Sequence, residues 1–289
     1  MKGRLIIQPM GGLANRMRVI GKLRMVANKA HIPMEVLWVS NNAAGAKWSD
    51  IFELPEDFVV KEESGHYKHE YYSAKWYRNI VHRVWAWMHR YTWLPYNIVE
   101  KMDEDTSKEG LQRLFNQWIA QLQAGKTLYI STGDYLGENY DVSFFRPIVT
   151  LQKEIDAFLP SDKKVYGIHI RRTDNTWAIE NSPLELFENR ITTILKTEPN
   201  ALFYLASDDA DTIAHFQERY GACILTRPKT FGRNSVQGIQ DAIIEMWLLS
   251  KTKKIYGSFY SSYSGMAAKI GNIDLEILKN NDNYCNTII

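Results

Sequence analysis

Two adjacent arginines, Arg171 and Arg172, leave the end of the apolar run GIHI and are followed at once by Thr173 and Asp174. A guanidinium is a planar, permanently charged fork that matches two oxygen atoms of a phosphate or carboxylate. A pair of them at a strand end therefore points to an anion. Two further apolar runs finish in a similar way. LFYLA runs into Ser207, Asp208 and Asp209, and KIYG runs into Ser258, Ser261, Ser262 and Ser264, just ahead of a helical stretch. Hydroxyls and backbone N–H groups at a helix start add donors and a favourable dipole for the same anion. Each cluster also has an internal reading: the arginines tie loops together by pairing with Asp174 or Asp208, and the serines cap the helix.

Three other groups carry chemistry. His169 shares a strand face with Val165, Gly167 and Arg171, so it is either a hydrogen-bonded core residue or a contact for a base edge or a phosphate. Asp241 and Glu245 stand four apart on a helix over 235–251 whose apolar stripe is Val236, Ile239, Ile243, Met246 and Leu249. They form a solvated acidic face, or accept from the N1–H and 2-amino group of a guanine. GGLANR (11–16) is a glycine-rich turn into a helix; it lacks both GxGxxG and GK[ST]. Gly11 and Gly12 would let backbone approach a ligand, with Asn15 and Arg16 in the first helical turn.

The elements that must position these groups follow from periodicity. RLIIQP (4–9) reads as a buried strand and MEVLWV (34–39) as a second, joined by a helix with Leu13, Met17, Ile20 and Leu23 at helical spacing. Residues 40–72 show no clear pattern. Helices are expected over 73–91, 107–123 and 147–160, with TLYIST (127–132) as a strand. From 164 onward the pattern is a run of β–α units: KVYGIHI, a helix over 182–196 N-capped by Ser182 with Glu185 three positions on, ALFYLAS, a helix over 208–221 stopped by Gly221, CILT, the helix over 235–251, KIYG, and a helix over 260–270. The expected fold class is α/β, with two Rossmann-like domains facing a cleft. The N-terminal α/β domain covers 1–160 and a C-terminal Rossmann-like domain covers 161–289, where the three polar strand ends share one edge.

Composition excludes several classes. A net charge of +2 over 289 residues is too mild and too scattered for a nucleic-acid binder. Cys223 and Cys285 stand far apart with no histidine cluster, which argues against a disulfide framework and a zinc site. The first residues are too short an apolar run for a signal peptide, and no run approaches the ~18 residues of a membrane span, so a cytoplasmic protein is expected. One segment complicates this. KWYRNIVHRVWAWMHRYTW (75–93) interleaves Lys75, Arg78, Arg83 and Arg90 with Trp76, Trp85, Trp87 and Trp93. It is an ordinary helix packed by its aromatics, or one that lies on a lipid headgroup layer as a peripheral contact at the inner face of the membrane.

Taken together, the motifs resemble the fucosyltransferase superfamily that includes α1,2-, α1,6- and nodulation fucosyltransferases. HIRRTD (169–174) is similar to its H-x-R-R-x-D motif, YLASDD (204–209) to its second and SFYSSYSGMA (258–267) to its third, in the family order; GGLANR resembles its N-terminal glycine-rich element, with Ala14 in place of a glycine. The resemblance covers 165–270 and, before that, only the glycine-rich turn. It implies a GT-B-like fold, GDP-fucose as donor substrate, a glycan acceptor on the N-terminal side, inversion at the sugar carbon, no permanently bound cofactor and no metal. By position it implies that Arg171 binds the β-phosphate, His169 contacts the nucleotide, Asp241 or Glu245 the guanine, and Ser261 and Ser262 the pyrophosphate, with Arg172 and Asp208 in the same cluster. Asn15, beside Gly12, would reach the ligand from the other domain. After Asp174 a lysine is usual in the α1,6 branch and Asn175 stands here. Glu180 approximately matches an acidic residue further along, so Glu180 and then Asp174 are the candidates for general base. Two alternatives stand beside this reading: a transferase using another GDP- or UDP-sugar, and a non-enzymatic module that binds a glycan or a membrane surface.

Overall fold

The computed structural model describes residues 3–64, 80, 83–84, 86–94, 108–133 and 135–280. The chain divides into two compact units, Met1–Ile148 with Arg233–Ile239, and Val149–Gly232 with Gln240–Ile289. The division falls ahead of the helix expected over 147–160 rather than behind it. That helix carries Glu154, which pairs with Arg227, and Phe158, whose ring meets Tyr204 edge-on at 5.7 Å, so its packing ties it to the second unit.

In the first unit, strand β1 (Arg4–Pro9) leads through Gly11 and Gly12 into helix α1 (Leu13–Ala30), followed by β2 (Met34–Ser40), β3 (Val59–Ser64), β4 (Tyr91–Leu94), α2 (Lys108–Gln123) and β5 (Thr127–Thr132). The strands are all parallel, in the order β3-β2-β1-β5-β4. Leu5 and Ile7 of β1 and Met17, Ile20 and Leu23 of α1 are fully buried, which is the stripe that helical spacing demands. Strands β3 and β4 are the two edges, and periodicity reveals neither. VVKEES is too polar to alternate, and YTWL sits where the helix over 73–91 was expected to end. Much of that helix lies outside the described residues.

The second unit runs α3 (Val149–Phe158), β6 (Val165–Ile170), α4 (Thr176–Asn181), α5 (Leu184–Thr197), β7 (Leu202–Ser207), α6 (Ala210–Tyr220), β8 (Ile224–Leu225), α7 (Val236–Ser250), β9 (Ile255–Ser258), α8 (Ser262–Gly271) and β10 (Leu275–Leu278). Helix α7 begins in the segment assigned to the first unit. The strands are parallel, in the order β10-β9-β6-β7-β8. Ile168 and Ile170 face one side, packed with Phe187, Ile191, Phe203, Leu205 and Phe216. Gly167 and His169 face the other. There a side chain at Gly257 would stand 2.7 Å from the Ser264 hydroxyl, so glycine lets α8 sit close on β9.

Two local expectations change. Helix α5 starts at Leu184 with Pro183 before it. Ser182 is not its N-cap; its hydroxyl donates to the Leu278 carbonyl and accepts from the Phe259 N–H, joining three loops. The short helix α4, unforeseen in the irregular stretch after Asp174, is capped by Asn175, whose Oδ1 accepts from the Ala178 N–H at 3.0 Å.

Gly11 sits at φ +79, and a side chain there would stand 3.3 Å from the Asn15 amide. Gly11→Ala should therefore lower stability by about 1–2 kcal/mol through left-handed backbone strain alone. Urea unfolding checks this: an unchanged midpoint would show that the turn does not need glycine.

Candidate active site

Chain order places the switch in sheet direction between β6 and β9: β7 and β8 build outward on one side of β6, β9 and β10 on the other. Ligands of open parallel sheets bind beyond the strand ends at such a point. The loops that emerge there are those of Arg171 and Ser258. They touch directly, because the Arg171 backbone N–H donates to the Ser258 hydroxyl at 3.0 Å.

The two arginines separate in role. Arg171 Nε lies 3.2 Å from Asp208 and its Nη2 pairs with Asp174, while Nη1 makes no hydrogen bond among the described residues. The internal pairing expected as an alternative is thus present, and it leaves one edge of the fork open. Asp174 is 52% exposed, so its pairing is weak and replaceable by a stronger anion. Arg172 is engaged by backbone carbonyls. Its guanidinium donates to the carbonyls of Ser182 at 2.7 Å and Ile179 at 3.5 Å, the unsatisfied acceptors at the end of α4.

Asp208 is engaged by four donors. It accepts from the N–H groups of Arg172 (2.7 Å) and Thr173 (3.3 Å), from the Thr173 hydroxyl (2.6 Å) and from Arg171. Burial pushes its carboxyl up, but the Thr173 hydroxyl, the Arg171 charge and the two N–H groups outweigh this and hold it below the usual range.

His169 is buried, its ring stacked on Tyr263 with centroids 4.9 Å apart. Burial drives its pKa down to about 3; the Asp208 charge opposes this, and Arg171 and Lys229 reinforce it. A neutral imidazole brings no charge, but one ring nitrogen still donates, to a base edge or to a phosphate oxygen. Its Nδ1 has no partner among the described residues.

Asp241 and Glu245 are not a solvated face; both are buried. Asp241 accepts from Arg227 and from the Thr230 N–H, and both oxygens of Glu245 accept from Lys229 Nζ, at 2.7 and 2.9 Å. Lys229 Nζ also donates to the Ser207 carbonyl at the end of β7. Burial pushes the Glu245 carboxyl up against the pull of Lys229. A guanine accepted by either carboxylate would have to share it with its existing cation partner. Sequence reasoning missed Arg227 and Lys229. The available signal was their spacing in TRPKT: two apart on an extended segment puts both on one side, opposite two acids four apart on a helix.

Ser261 precedes α8 without capping it through its side chain, and neither its hydroxyl nor that of Ser262 makes a bond among the described residues. Glu180 is exposed on α4, and its carboxylate makes no ion pair among the described residues. In the first unit Gly12 is the N-cap residue of α1, and Asn15 accepts from Arg18 at 3.3 Å. Arg16 is fully buried on the Gly11 and Val39 carbonyls and Asn41, a structural tie for the turn. No group of metal-ligating side chains occurs among the described residues.

No protein-family model matches the chain, and no curated protein matches its sequence. Solved structures do. NodZ from Bradyrhizobium, an alpha-1,6-fucosyltransferase soaked with GDP-fucose, superposes with a TM-score of 0.57 at 13% identity over 93% of each chain. The chain has a fucosyltransferase fold. A variant of Arabidopsis thaliana FUT1 in complex with GDP gives 0.58 at 13% identity, covering 96% of this chain and 70% of that one. POFUT1 without ligand gives 0.56 at 10% identity, covering 96% and 98%. The two parallel five-stranded sheets correspond to this GT-B-like fold, as the motif order implied.

The neutral His169 has a consequence for stability. Between pH ~6.5 and about 3 the unfolded chain takes up a proton that the folded ring refuses, so folding weakens as pH falls through this window, by at most ~1.4 kcal/mol per unit. Denaturant melts at pH 7 and 5 should show the loss. His169→Phe should reduce it, and an identical loss in that variant would contradict the assignment.

Proposed function

We propose that the protein is a glycosyltransferase that moves fucose from GDP-fucose to a glycan hydroxyl, with inversion and without a metal. The observation that carries the reading is the open edge of Arg171, tied through its backbone to the Ser258 loop and followed there by the uncommitted Ser261 and Ser262 at the start of α8. Solved proteins of this fold hold GDP or GDP-fucose, which supports this donor.

In the proposed reaction the bond between the sugar carbon and the β-phosphate oxygen breaks, and its electron pair stays on GDP. Arg171 and the N–H groups of α8 stabilise that charge as it develops. The acceptor oxygen attacks the oxocarbenium-like carbon from the opposite face and loses its proton to a carboxylate. Glu180 takes this role before Asp174, because Asp174 already pairs with Arg171. Arg172 holds the end of the helix that carries Glu180. The preference for GDP over UDP is supported by the solved neighbours.

Arg171→Ala should reduce GDP release from GDP-fucose at least 100-fold while the protein stays folded, and wild-type turnover should persist in EDTA. Retained activity in the variant would remove the phosphate role. A thermal-shift panel separates donors: greater stabilisation by UDP than by GDP would replace the GDP reading with the other sugar-nucleotide one.

We further infer peripheral contact with an anionic membrane surface through the segment around Trp87. Ile80, Val84, Trp87 and Met88 follow helical spacing and are exposed, Trp87 by 78%. Arg83 and Arg90 are exposed beside them, and no acidic residue stands between Glu70 and Glu100. An apolar stripe flanked by cations with no acidic residue close in sequence fits a headgroup layer. No described helix is long and apolar enough to cross a membrane. The protein should float with phosphatidylserine-containing vesicles at low salt and be released at high salt, and Trp87→Glu should abolish flotation. Absence of flotation at low salt would end this reading.

A further inference from the structure

In the second unit, the large aromatic side chains that are markedly exposed among the described residues are Trp177, Phe231 and Tyr260. All three lie on segments that follow the carboxyl ends of strands: Trp177 after β6, Phe231 after β8 and Tyr260 after β9. Because these strands are parallel, the rings share one edge of the sheet, the edge that carries Arg171. Three exposed aromatic rings gathered at the edge that carries Arg171 suit a binding face.

Tyr260 stands apart from the other two. The residue is 66% exposed, and its backbone is held at φ +53, a left-handed conformation that disfavours a side chain. Glycine would occupy this position without strain, and burial does not explain the tyrosine. Neighbouring groups hold the loop on three sides. The Ser258 hydroxyl accepts from the Arg171 N–H, the Phe259 N–H donates to the Ser182 hydroxyl at 2.8 Å, and the Tyr260 carbonyl accepts from Asn175 Nδ2 at 2.9 Å. Asn175 thus caps α4 with its oxygen and fixes the Tyr260 backbone with its nitrogen. A lysine, having no acceptor, could not do both. A strained residue that its surroundings over-determine, presenting a ring to solvent one residue before Ser261, is pre-organised for a ligand.

We propose that Tyr260 is a stacking platform for a ring of the bound nucleotide sugar, held in place by Asn175. This rests on the donor site proposed above. The shared chemistry is the flat face of a purine or the apolar face of a pyranose, and a pair of ligands tells them apart.

Calorimetry with GDP and with GDP-fucose, on wild type and on Tyr260→Ala, Tyr260→Phe and Tyr260→Gly, tests it. Tyr260→Ala should weaken binding about tenfold or more, and Tyr260→Phe should stay within about twofold of wild type. Tyr260→Gly should bind as poorly as the alanine variant yet unfold at a higher temperature, since glycine relieves the backbone without restoring the ring. Equal loss for both ligands assigns the ring to the purine; loss confined to GDP-fucose assigns it to the sugar. Unchanged affinity for both ligands in Tyr260→Ala overturns the platform. If wild type binds neither ligand, the donor site itself is refuted and the platform falls with it.

Discussion

The Asp208 carboxylate is the interaction on which the candidate site depends. Strands β6 and β7 run side by side in the same direction, so their carboxyl ends deliver two loops to one place, each with unsatisfied N–H groups. Asp208, at the end of β7, takes the N–H groups of Arg172 and Thr173, the Thr173 hydroxyl and Arg171 Nε together. Four donors on one partly buried carboxylate keep it ionised and define the path of the β6 loop. With that path set, Arg171 presents the remaining edge of its fork beside the β9 loop, and Arg172 turns the other way to close α4.

Adjacent residues of the same type therefore do different work. A strand alternates its side chains between faces, and the loop that continues β6 keeps this divergence: Arg171 stays among carboxylates and Arg172 meets backbone carbonyls. The acids of α7 follow a comparable logic. Burying Asp241 and Glu245 alone would be costly, and Arg227 and Lys229 offset this by bringing their charges in with them. Lys229 also bonds the Ser207 carbonyl, so the segment after β8 is tied to the same strand end that supplies Asp208. In this way an ion-pair layer beneath the edge supports the loops above it.

Much of this was legible in the residues. The apolar stripe of α1, that of α7 except for Val236, which is exposed at the helix start, the buried runs of β1, β6 and β7, and the polar residues at each strand end follow from periodicity and from the chemistry of parallel sheets. The edge strands β3, β4 and β10 were not legible, because their sequences carry too few buried apolar residues to show alternation, whereas the edge strand β8 was read from its place in the β–α run. Helix α4 escaped notice because it is short and takes its stability from Asn175 and Arg172 rather than from an apolar stripe. Ser182 misled because a serine before a leucine-rich helix looks like a cap until the Phe259 and Leu278 backbone groups arrive from far along the chain.

Taken alone, the sequence determined which residues could bear charge or donate hydrogen bonds, and at which strand ends they stood, since periodicity and residue type are local properties. Only the tertiary structure decided their partners. Whether Arg172 meets a phosphate or a carbonyl, whether Glu245 faces water or Lys229, and whether Tyr260 is covered or displayed depends on groups brought together by strand order, and no local spacing encodes which of them arrives first.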